Sequence, residues 1–199
     1  MSIKILGGLL RGLSFYVPNS KTRPTSVMLR RRFFDAHQDW SECSFIDLCA
    51  GTGAMGLEAW SRGACKVILI ERARSVVTST GKNLDLVREK FAEQLTERPV
   101  HIQNTDAAKF IGSFRAEYET WGQEDQENAW LFLDPPYDAH PLYKWFLRTF
   151  LQEEEWFKGK LLIESDTQKG LAPDWWESRG VKISKIYTQG SSYIARLER

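Results

Sequence analysis

The chain has 199 residues, of which 42% are hydrophobic, so it is long enough for one α/β domain and short for two. No apolar stretch approaches the ~20 residues that a membrane-spanning helix needs. The net charge of +1 is unevenly distributed: seven of the 27 basic residues but none of the 26 acidic residues lie in residues 1–34. A basic segment on an otherwise acidic chain favours a polyanionic partner.

The first forty residues predict a small β-hairpin followed by a helix. Apolar and polar residues alternate around glycines in residues 3–6 and 13–17, which is typical of two short strands. Pro24 and Thr25-Ser26 then form a start signal for a helix that runs to Phe34. We expect residues 1–40 to form a basic extension that packs on the rest of the chain and contacts a polyanion. Its cationic side chains are Lys4, Arg11, Lys21, Arg23, Arg30, Arg31 and Arg32.

From residue 44 onward, strand-like and helix-like segments alternate, which predicts an α/β fold with a mostly parallel sheet and crossover helices. The predicted strands are residues 45–49, 66–70, 100–103, 130–133 and 160–164. The predicted helices lie near residues 54–62, 75–95, 107–110 and 141–151. The last two runs, residues 181–187 and 193–197, predict an antiparallel hairpin added to the sheet. The acid-rich segment 117–128 is predicted to be a solvated loop.

The turn after the first strand of this sheet is rich in glycine. Gly51, Gly53 and Gly56 satisfy the pattern G-x-G-x-x-G, and Glu71 ends the next strand about 20 residues later. Such glycines let the backbone approach a ligand, and a carboxylate at the tip of the second strand accepts hydrogen bonds from ribose hydroxyls. The pattern therefore predicts an adenosine-type cofactor, either NAD(P) or S-adenosylmethionine.

Two further carboxylates bear on this choice of cofactor. Asp47 lies in the first strand, ahead of the glycine turn, where its charge suits an ammonium and a sulfonium and repels a pyrophosphate. Asp106 follows the third strand, where it either receives the adenine amino group or caps the next helix. Asp47 thus favours S-adenosylmethionine, and Asp106 leaves two interpretations open.

The segment Asp134-Pro135-Pro136-Tyr137 follows the apolar run 129–133, at the end of a buried strand where open α/β sheets bind their ligands. The prolines fix φ and remove two backbone donors, so the turn is stiff. Asp134 and a free carbonyl can accept both hydrogens of an exocyclic amine, while Tyr137 offers a face for stacking. The segment therefore predicts a site for a planar, amino-bearing methyl acceptor, and it has no role in hydride transfer.

In combination, these motifs resemble the class I methyltransferases that modify amino groups. The flanking segments are similar to the RsmD family of bacterial 16S rRNA guanine-N2 methyltransferases. They are Gly7-Gly8-Leu9-Leu10-Arg11-Gly12, Arg23-Pro24-Thr25-Ser26, residues 56–64 and Ile163-Glu164-Ser165. The resemblance extends over residues 3–197. It implies a Rossmann-like class I methyltransferase domain over residues 41–199, with S-adenosyl-L-methionine as the cofactor.

The resemblance also implies a substrate and roles for individual residues. The substrate would be one guanine near the P site, in the 16S rRNA of an assembled or assembling small ribosomal subunit, and the basic extension would contact that RNA. The cofactor would be bound by Asp47, Ala50, Gly51, Thr52, Gly53, Glu71, Arg72, Asp106 and Ala107. The target base would be held by the catalytic residues Asp134, Pro135, Pro136 and Tyr137.

Composition adds expectations about location and metals. The three cysteines are odd in number and lack a Cys-x-x-Cys spacing, so we expect reduced thiols in a cytoplasmic protein. The N-terminus lacks the pattern of a signal peptide, and no membrane contact is expected. The three histidines match no metal-ligand spacing, so no metal site is expected. We also expect a monomer.

Three alternative functions remain open on the sequence. The first is a methyltransferase of the same fold that acts on adenine N6, cytosine N4 or glutamine, since related Pro-Pro motifs hold all of these nitrogens. The second is an NAD(P)-dependent oxidoreductase, although no substrate domain is visible. The third is a non-catalytic RNA-binding module that retains the fold.

Overall fold

Within the residues that the structure describes, 2–16, 26–95 and 97–199, a two-stranded sheet precedes a seven-stranded sheet. The structure is a computed structural model. β1 (Ser2–Lys4) pairs antiparallel with β2 (Ser14–Tyr16), and α1 (Val27–Asp35) follows. The Ser26 side chain caps α1 by accepting the Leu29 amide at 3.1 Å. The predicted N-terminal hairpin and helix are confirmed, whereas Lys21, Arg23, Pro24 and Thr25 lie outside the described residues.

The large sheet contains five parallel strands and a C-terminal antiparallel hairpin. Its strands are β3 (Ser44–Asp47), β4 (Lys66–Ile70), β5 (Val100–Gln103), β6 (Ala129–Leu133), β7 (Lys160–Asp166), β8 (Lys182–Gln189) and β9 (Ser192–Glu198). They lie in the order β5-β4-β3-β6-β7-β9-β8; the first five strands in this order are parallel, and β9 runs antiparallel to both β7 and β8. The predicted mostly parallel α/β sheet with a C-terminal antiparallel hairpin is therefore confirmed.

Helices lie at all four predicted positions, and the structure adds two short helices that were not predicted. The helices are α2 (Ala54–Ser61), α3 (Arg74–Lys90), α4 (Ala92–Leu95), α5 (Ala107–Tyr118), α6 (Gln123–Glu127), α7 (His140–Leu147) and α8 (Pro173–Glu177). The two that were not predicted are α6 and α8. A π-helical turn, Arg148–Gln152, continues α7. In the described part of the chain, no helix combines the length and the hydrophobicity that crossing a membrane would require.

Alternate residues of each strand face opposite sides of the sheet, and each side is covered by helices. On β6, Trp130 and Phe132 belong to a hydrophobic cluster with residues of α1, α2 and α3. Leu131 and Leu133 belong to a second cluster with residues of α5, α7 and α8. Since both faces are buried, the parallel strands read as continuous apolar runs, and the loops at the strand ends are left to bind ligands.

The prediction of a solvated loop at residues 117–128 is wrong. Helix α5 continues to Tyr118, which is fully buried, and α6 lies within the same segment. Phe110, Phe114 and Tyr118 recur every four residues, so they place one apolar stripe of α5 against the core. The Tyr118 hydroxyl also donates to the Gln126 carbonyl at 2.9 Å. The acidic side chains therefore cover the outside of an ordered, packed element.

Candidate active site

The order of the strands reverses between β3 and β6. From β3 the chain continues to β4 and β5 on one side, and β6 and β7 extend the sheet on the other side. The loops at the carboxyl ends of β3 and β6 therefore diverge and leave a crevice, which is where open α/β sheets bind ligands. The two loops, residues 48–53 and 134–139, contain the predicted glycine turn and the predicted Asp-Pro-Pro-Tyr segment. The fold thus brings together two motifs that are more than 80 residues apart.

The three glycines meet different structural requirements: a left-handed backbone at Gly51 and Gly53 of the turn, and close packing at Gly56 of α2. Gly51 and Gly53 have φ angles of 50° and 77°, a conformation that other residues rarely adopt. A Cβ atom on Gly51 would meet no atom closer than a main-chain oxygen at 3.9 Å, so the turn is open at this point. A Cβ atom on Gly56 would lie 2.4 Å from Leu69 Cδ2, so glycine here lets α2 pack directly on β4. This division of roles matches that of nucleotide-binding turns.

Glu71 fastens the glycine turn to the end of the neighbouring strand. Its Oε2 accepts the Gly51 amide at 2.9 Å, and its Oε1 accepts the Ala73 amide at 2.6 Å. Asn104 supports this arrangement by donating to the main-chain oxygens of Glu71 at 3.0 Å and Arg72 at 2.9 Å. A carboxylate has about four acceptor positions, so Glu71 retains capacity for ribose hydroxyls. The predicted position of Glu71 beside Gly51 is observed, and the supporting Asn104 had been assigned no role.

Asp47 is a buried carboxylate, with 2% of its surface exposed, and its Oδ1 accepts the Cys49 amide at 3.2 Å. Burial, then the charge of Asp134 and then that of Glu71 raise the pKa of Asp47 well above its ordinary value. The negative charges of Asp134 and Glu71 thus oppose the ionisation of Asp47. A bound cation would relieve this repulsion and a pyrophosphate would increase it. Within residues 2–16, 26–95 and 97–199, no group of His, Cys, Asp or Glu is arranged to hold a metal ion.

Asp106 caps α5, as one of its two interpretations predicts. Its Oδ1 accepts the Lys109 amide at 2.9 Å, and Lys109 Nζ lies 3.7 Å from its Oδ2. With 44% of its side chain exposed, Asp106 can still reach a ligand, and its role toward adenine stays a prediction. Other predicted cofactor residues are buried close to the turn, and one is exposed. Ala50, Thr52 and Ala107 are buried, and Arg72 is exposed.

The Asp-Pro-Pro-Tyr segment forms an ordered turn after β6. Asp134 is half-buried, Pro135 is buried and Pro136 is exposed. The Pro136 carbonyl accepts the Ala139 amide at 2.8 Å, so this oxygen is used within the turn. Tyr137 is half-buried, so part of the residue is exposed.

The Tyr137 hydroxyl contacts two residues that sequence reasoning did not assign to the site. It lies 3.2 Å from both Glu164 Oε1 and Ser192 Oγ. Burial and then the negative charge of Glu164 raise the pKa of Tyr137, so its phenol stays protonated. The signal for Glu164 was an acid at the end of the apolar run in β7. Ser192 had no local signal, because pairing of β9 with β7 brings it to the site.

One predicted RNA contact is contradicted by the structure. Arg30 is 1% exposed, and its Nη2 donates to the Lys4 carbonyl at 2.6 Å. Its Nε lies 4.0 Å from Glu58 Oε2. Burial lowers the pKa of Arg30, and the charge of Glu58 opposes this shift. Successive helical residues point about 100° apart, and Arg30 lies one turn before the buried Phe34, so it points inward.

The other basic residues of the extension divide into a groove and one isolated contact. Lys4, Arg11 and Arg31, from β1, the hairpin loop and α1, line a groove of about 430 Å³ together with Ile5, Leu6 and Gly12. Arg32 is exposed, and its Nη1 donates to the Thr188 carbonyl at the end of β8. The structure therefore brings together three of the five predicted RNA contacts that it describes.

The strand order, the glycine turn and the carboxylates at the strand ends define the fold of a class I methyltransferase. Two solved structures share this fold. A putative methyltransferase from Escherichia coli is 24% identical with a TM-score of 0.68, and the match covers 100% of this chain and 98% of that one. An RNA methyltransferase from Salinibacter ruber, in complex with S-adenosyl-L-homocysteine, is 12% identical with a TM-score of 0.53, covering 87% and 92%.

The chain belongs to the family described as conserved hypothetical protein 95, whose model matches residues 3–192. A curated relative, ribosomal RNA small subunit methyltransferase D of Escherichia coli strain K12, is 29% identical over 192 residues. That match covers 92% of this chain and 85% of the relative. The predicted membership of the RsmD family is thereby confirmed.

Proposed function

We propose that the protein transfers a methyl group from S-adenosylmethionine to the exocyclic N2 amine of a guanine in 16S rRNA, near the P site of the small ribosomal subunit. One observation carries the proposal: the Asp134–Tyr137 turn and the glycine turn with Asp47 and Glu71 flank the point where the strand order reverses. The family and the name of the Escherichia coli relative support a ribosomal RNA substrate.

The glycine turn fits S-adenosylmethionine better than a dinucleotide. This cofactor, when bound, supplies an electrophilic methyl group on a sulfonium. Gly51 lies in a turn that is open to a ligand, and Glu71 is oriented to accept ribose hydroxyls. Burial and the charge of Asp134 oppose the ionisation of Asp47, and a bound cation at the same place would relieve this repulsion. The complex of the Salinibacter ruber neighbour with S-adenosyl-L-homocysteine supports this assignment.

Asp134 and the Pro135 carbonyl would hold the target amine. The guanine amine is a poor nucleophile because its lone pair is delocalised into the ring. Accepting hydrogen bonds from both N–H groups of the amine would aim its lone pair at the methyl group. Holding the reacting groups in such a geometry can lower the reaction barrier by ~7–11 kcal/mol. The Pro136 carbonyl already accepts the Ala139 amide, so the second acceptor for the substrate would be the Pro135 carbonyl. No strong base is required, because the proton can leave the amine after it has become cationic.

Tyr137 would stack on the target base after the base leaves its helix. Unstacking a nucleotide costs a few kcal/mol, and stacking on an aromatic side chain offsets ~1–3 kcal/mol of this. Tyr137 is half-buried, so it is not wholly enclosed by the protein.

The groove lined by Lys4, Arg11 and Arg31 would bind the phosphate backbone of the RNA. Phosphate contacts fix the position and orientation of a nucleic acid and carry little sequence information. The selection of one guanine would therefore depend on the shape of the small subunit, assembled or assembling. We propose that the protein acts on this subunit as a monomer, in the cytoplasm.

The test is to incubate the protein with labelled S-adenosylmethionine and undermethylated small subunits, and to identify the labelled nucleoside. We expect N2-methylguanosine in the 16S rRNA. N6-methyladenosine or N4-methylcytosine would replace the proposal with an alternative of the same fold, and tight binding of NADH would overturn the cofactor assignment.

A substitution in the turn tests the catalytic assignment. Asp134→Ala should abolish transfer while calorimetry still detects S-adenosylmethionine binding, because Gly51 and Glu71 are unchanged. Asp138→Ala is the matched control, since this exposed acid lies four residues further along the chain and should leave both properties intact. Unchanged turnover in Asp134→Ala would show that Asp134 does not hold the amine.

A further inference from the structure

The side chain of Tyr137 is anchored at its far end to two strands of the sheet. Its hydroxyl contacts Glu164 of β7 and Ser192 of β9, each at 3.2 Å. The two strands are paired antiparallel, with Asp166 opposite Ser192. The side chain of Tyr137, which lies in a loop, is therefore hydrogen-bonded to strands β7 and β9 of the large sheet.

Both anchors are themselves held in place. Glu164 is 1% exposed, and its main-chain oxygen accepts the Tyr143 hydroxyl at 2.8 Å. Ser192 is 9% exposed, and its Oγ donates to Asp166 Oδ2 at 3.1 Å. Ser191 Oγ donates to the same Asp166 oxygen at 2.7 Å. The position of the Tyr137 hydroxyl is thus set by groups that have little freedom to move.

In this group of side chains, Tyr137 donates to Ser192, and Ser192 in turn donates to Asp166. Burial opposes ionisation of Asp166, but hydrogen bonds from Ser191 and from main-chain amides outweigh burial and keep the pKa of Asp166 below its ordinary value. The ionised Asp166 accepts the Ser192 proton, so the Ser192 oxygen is left to accept the Tyr137 proton. The single phenol proton is shared between Ser192 Oγ and Glu164 Oε1, so the hydroxyl has no second proton to donate to solvent.

We propose that Glu164 and Ser192 are positioning residues that fix the place of the Tyr137 ring against the methyl-accepting base. The inference rests on the proposed function, because it assigns Tyr137 to the stacking contact. A tyrosine held only at its Cα atom can rotate about its Cα–Cβ bond, and hydrogen bonds at the hydroxyl suppress this rotation and fix the direction in which the ring projects. The ring is then a preformed wall, and a base that enters the site is aligned without reordering the loop.

Three variants test whether the anchors act through the phenol. Tyr137→Phe keeps the stacking ring and removes only the hydroxyl. Ser192→Ala removes one anchor, and the double variant removes both groups. We expect each single variant to lower kcat, by up to ~100-fold for a displacement of about 1 Å, with S-adenosylmethionine affinity unchanged in calorimetry. The double variant should be no slower than Tyr137→Phe, because Ser192 has nothing to position once the hydroxyl is absent.

Ser184→Ala is the matched control. It removes a serine hydroxyl on β8 that accepts from Arg196 Nε at 2.8 Å, at the end of β9 away from Ser192, so kcat should equal that of the parent. A conservative variant adds a second check. Glu164→Gln keeps an acceptor for the phenol and should retain most of kcat, whereas Glu164→Leu should resemble Tyr137→Phe. Thermal melting shows which variants remain folded, and Tyr137→Phe carries the test alone if the others do not.

The outcomes separate this inference from the proposed function. If the parent methylates no small-subunit RNA, the proposed function is wrong. If the parent is active but Tyr137→Phe turns over at the parent rate, the anchoring of Tyr137 has no role in positioning. Additive losses in the double variant would show that Ser192 acts by a route other than Tyr137, which also overturns the inference.

Discussion

Replacing Glu58 with Gln should destabilise the protein strongly, because this buried carboxylate joins the N-terminal extension to α2. Glu58 is fully buried, lies 2.9 Å from Arg62 Nε and 4.0 Å from Arg30 Nε, and accepts the Leu6 amide at 2.8 Å. Gln keeps the shape and one acceptor but removes the charge that balances two buried guanidinium groups. Removing one partner of a buried ion pair costs about 3–5 kcal/mol, a large part of the ~5–15 kcal/mol that stabilises a typical domain.

Urea unfolding followed by far-ultraviolet circular dichroism measures this loss as a lower midpoint at an unchanged slope. The matched control is Glu154→Gln, the same chemical change at an exposed carboxylate that lies 2.8 Å from Arg115 Nη2. Solvent screens this second pair, so its removal should leave the midpoint close to that of the parent. If Glu58→Gln unfolds at the same urea concentration as Glu154→Gln, the buried ion pair does not hold the extension.

Three further predictions concern the turn, the carboxylates and the groove. Gly56→Ala should destabilise the protein by ~1–3 kcal/mol in thermal melts, since its Cβ would overlap Leu69, whereas Gly112→Ala on α5, with nothing within 4 Å, should stabilise it by up to ~1 kcal/mol. Asp47→Asn should raise the melting temperature at neutral pH, because a raised carboxyl pKa means that stability falls as pH rises toward that pKa, and it should weaken S-adenosylmethionine binding by ~1.5–3 kcal/mol in calorimetry. In the parent, S-adenosylmethionine binding should weaken as the pH is lowered through the pKa of Asp47, because the Asp47 carboxylate of the free protein then takes up a proton and loses its charge. Arg31→Glu should make the dependence of log affinity for small subunits on log salt concentration less steep by about 0.7–0.9, which corresponds to the loss of one phosphate contact. An unchanged slope would exclude a phosphate contact by Arg31 at the groove.

The sheet and the place of the site could be predicted from the sequence because both depend on local patterns. Apolar runs of four to five residues separated by helical segments define parallel strands, and polar residues directly after them must meet at one edge. Asp47 ends one such strand, and Glu71 and Asp134 follow two others, so their proximity follows once the strand order reverses between β3 and β6. The antiparallel hairpin was also visible, since a glycine turn separates two alternating runs.

Contacts between segments far apart in sequence could not be predicted. The inward direction of Arg30 had a signal, because it lies one helical turn before Phe34, but its partner Glu58 is 28 residues away on another element. Ser192 reaches Tyr137 only through the register of β7 with β9, which alternation does not specify. The burial of Tyr118 was missed for another reason, because the surrounding acids outweighed the four-residue spacing of aromatic side chains.

Helix α2 links the cofactor turn to the basic extension, which connects stability to substrate alignment. The helix begins at Ala54, directly after Gly53 of the turn, and ends at Ser61. The Ser61 Oγ donates to the Gly7 carbonyl at 2.6 Å and accepts the Leu10 amide at 2.9 Å. Eight helical residues span ~12 Å, and the helix packs on β4 without an intervening side chain at Gly56. The distance between the glycine turn and the hairpin that carries the groove is therefore set by one short, rigid element. A substitution at Ser61 should consequently impair methylation of small subunits more than it impairs binding of S-adenosylmethionine, although Ser61 contacts neither ligand. Equal losses of both would show that α2 transmits disorder to the turn instead of fixing the groove.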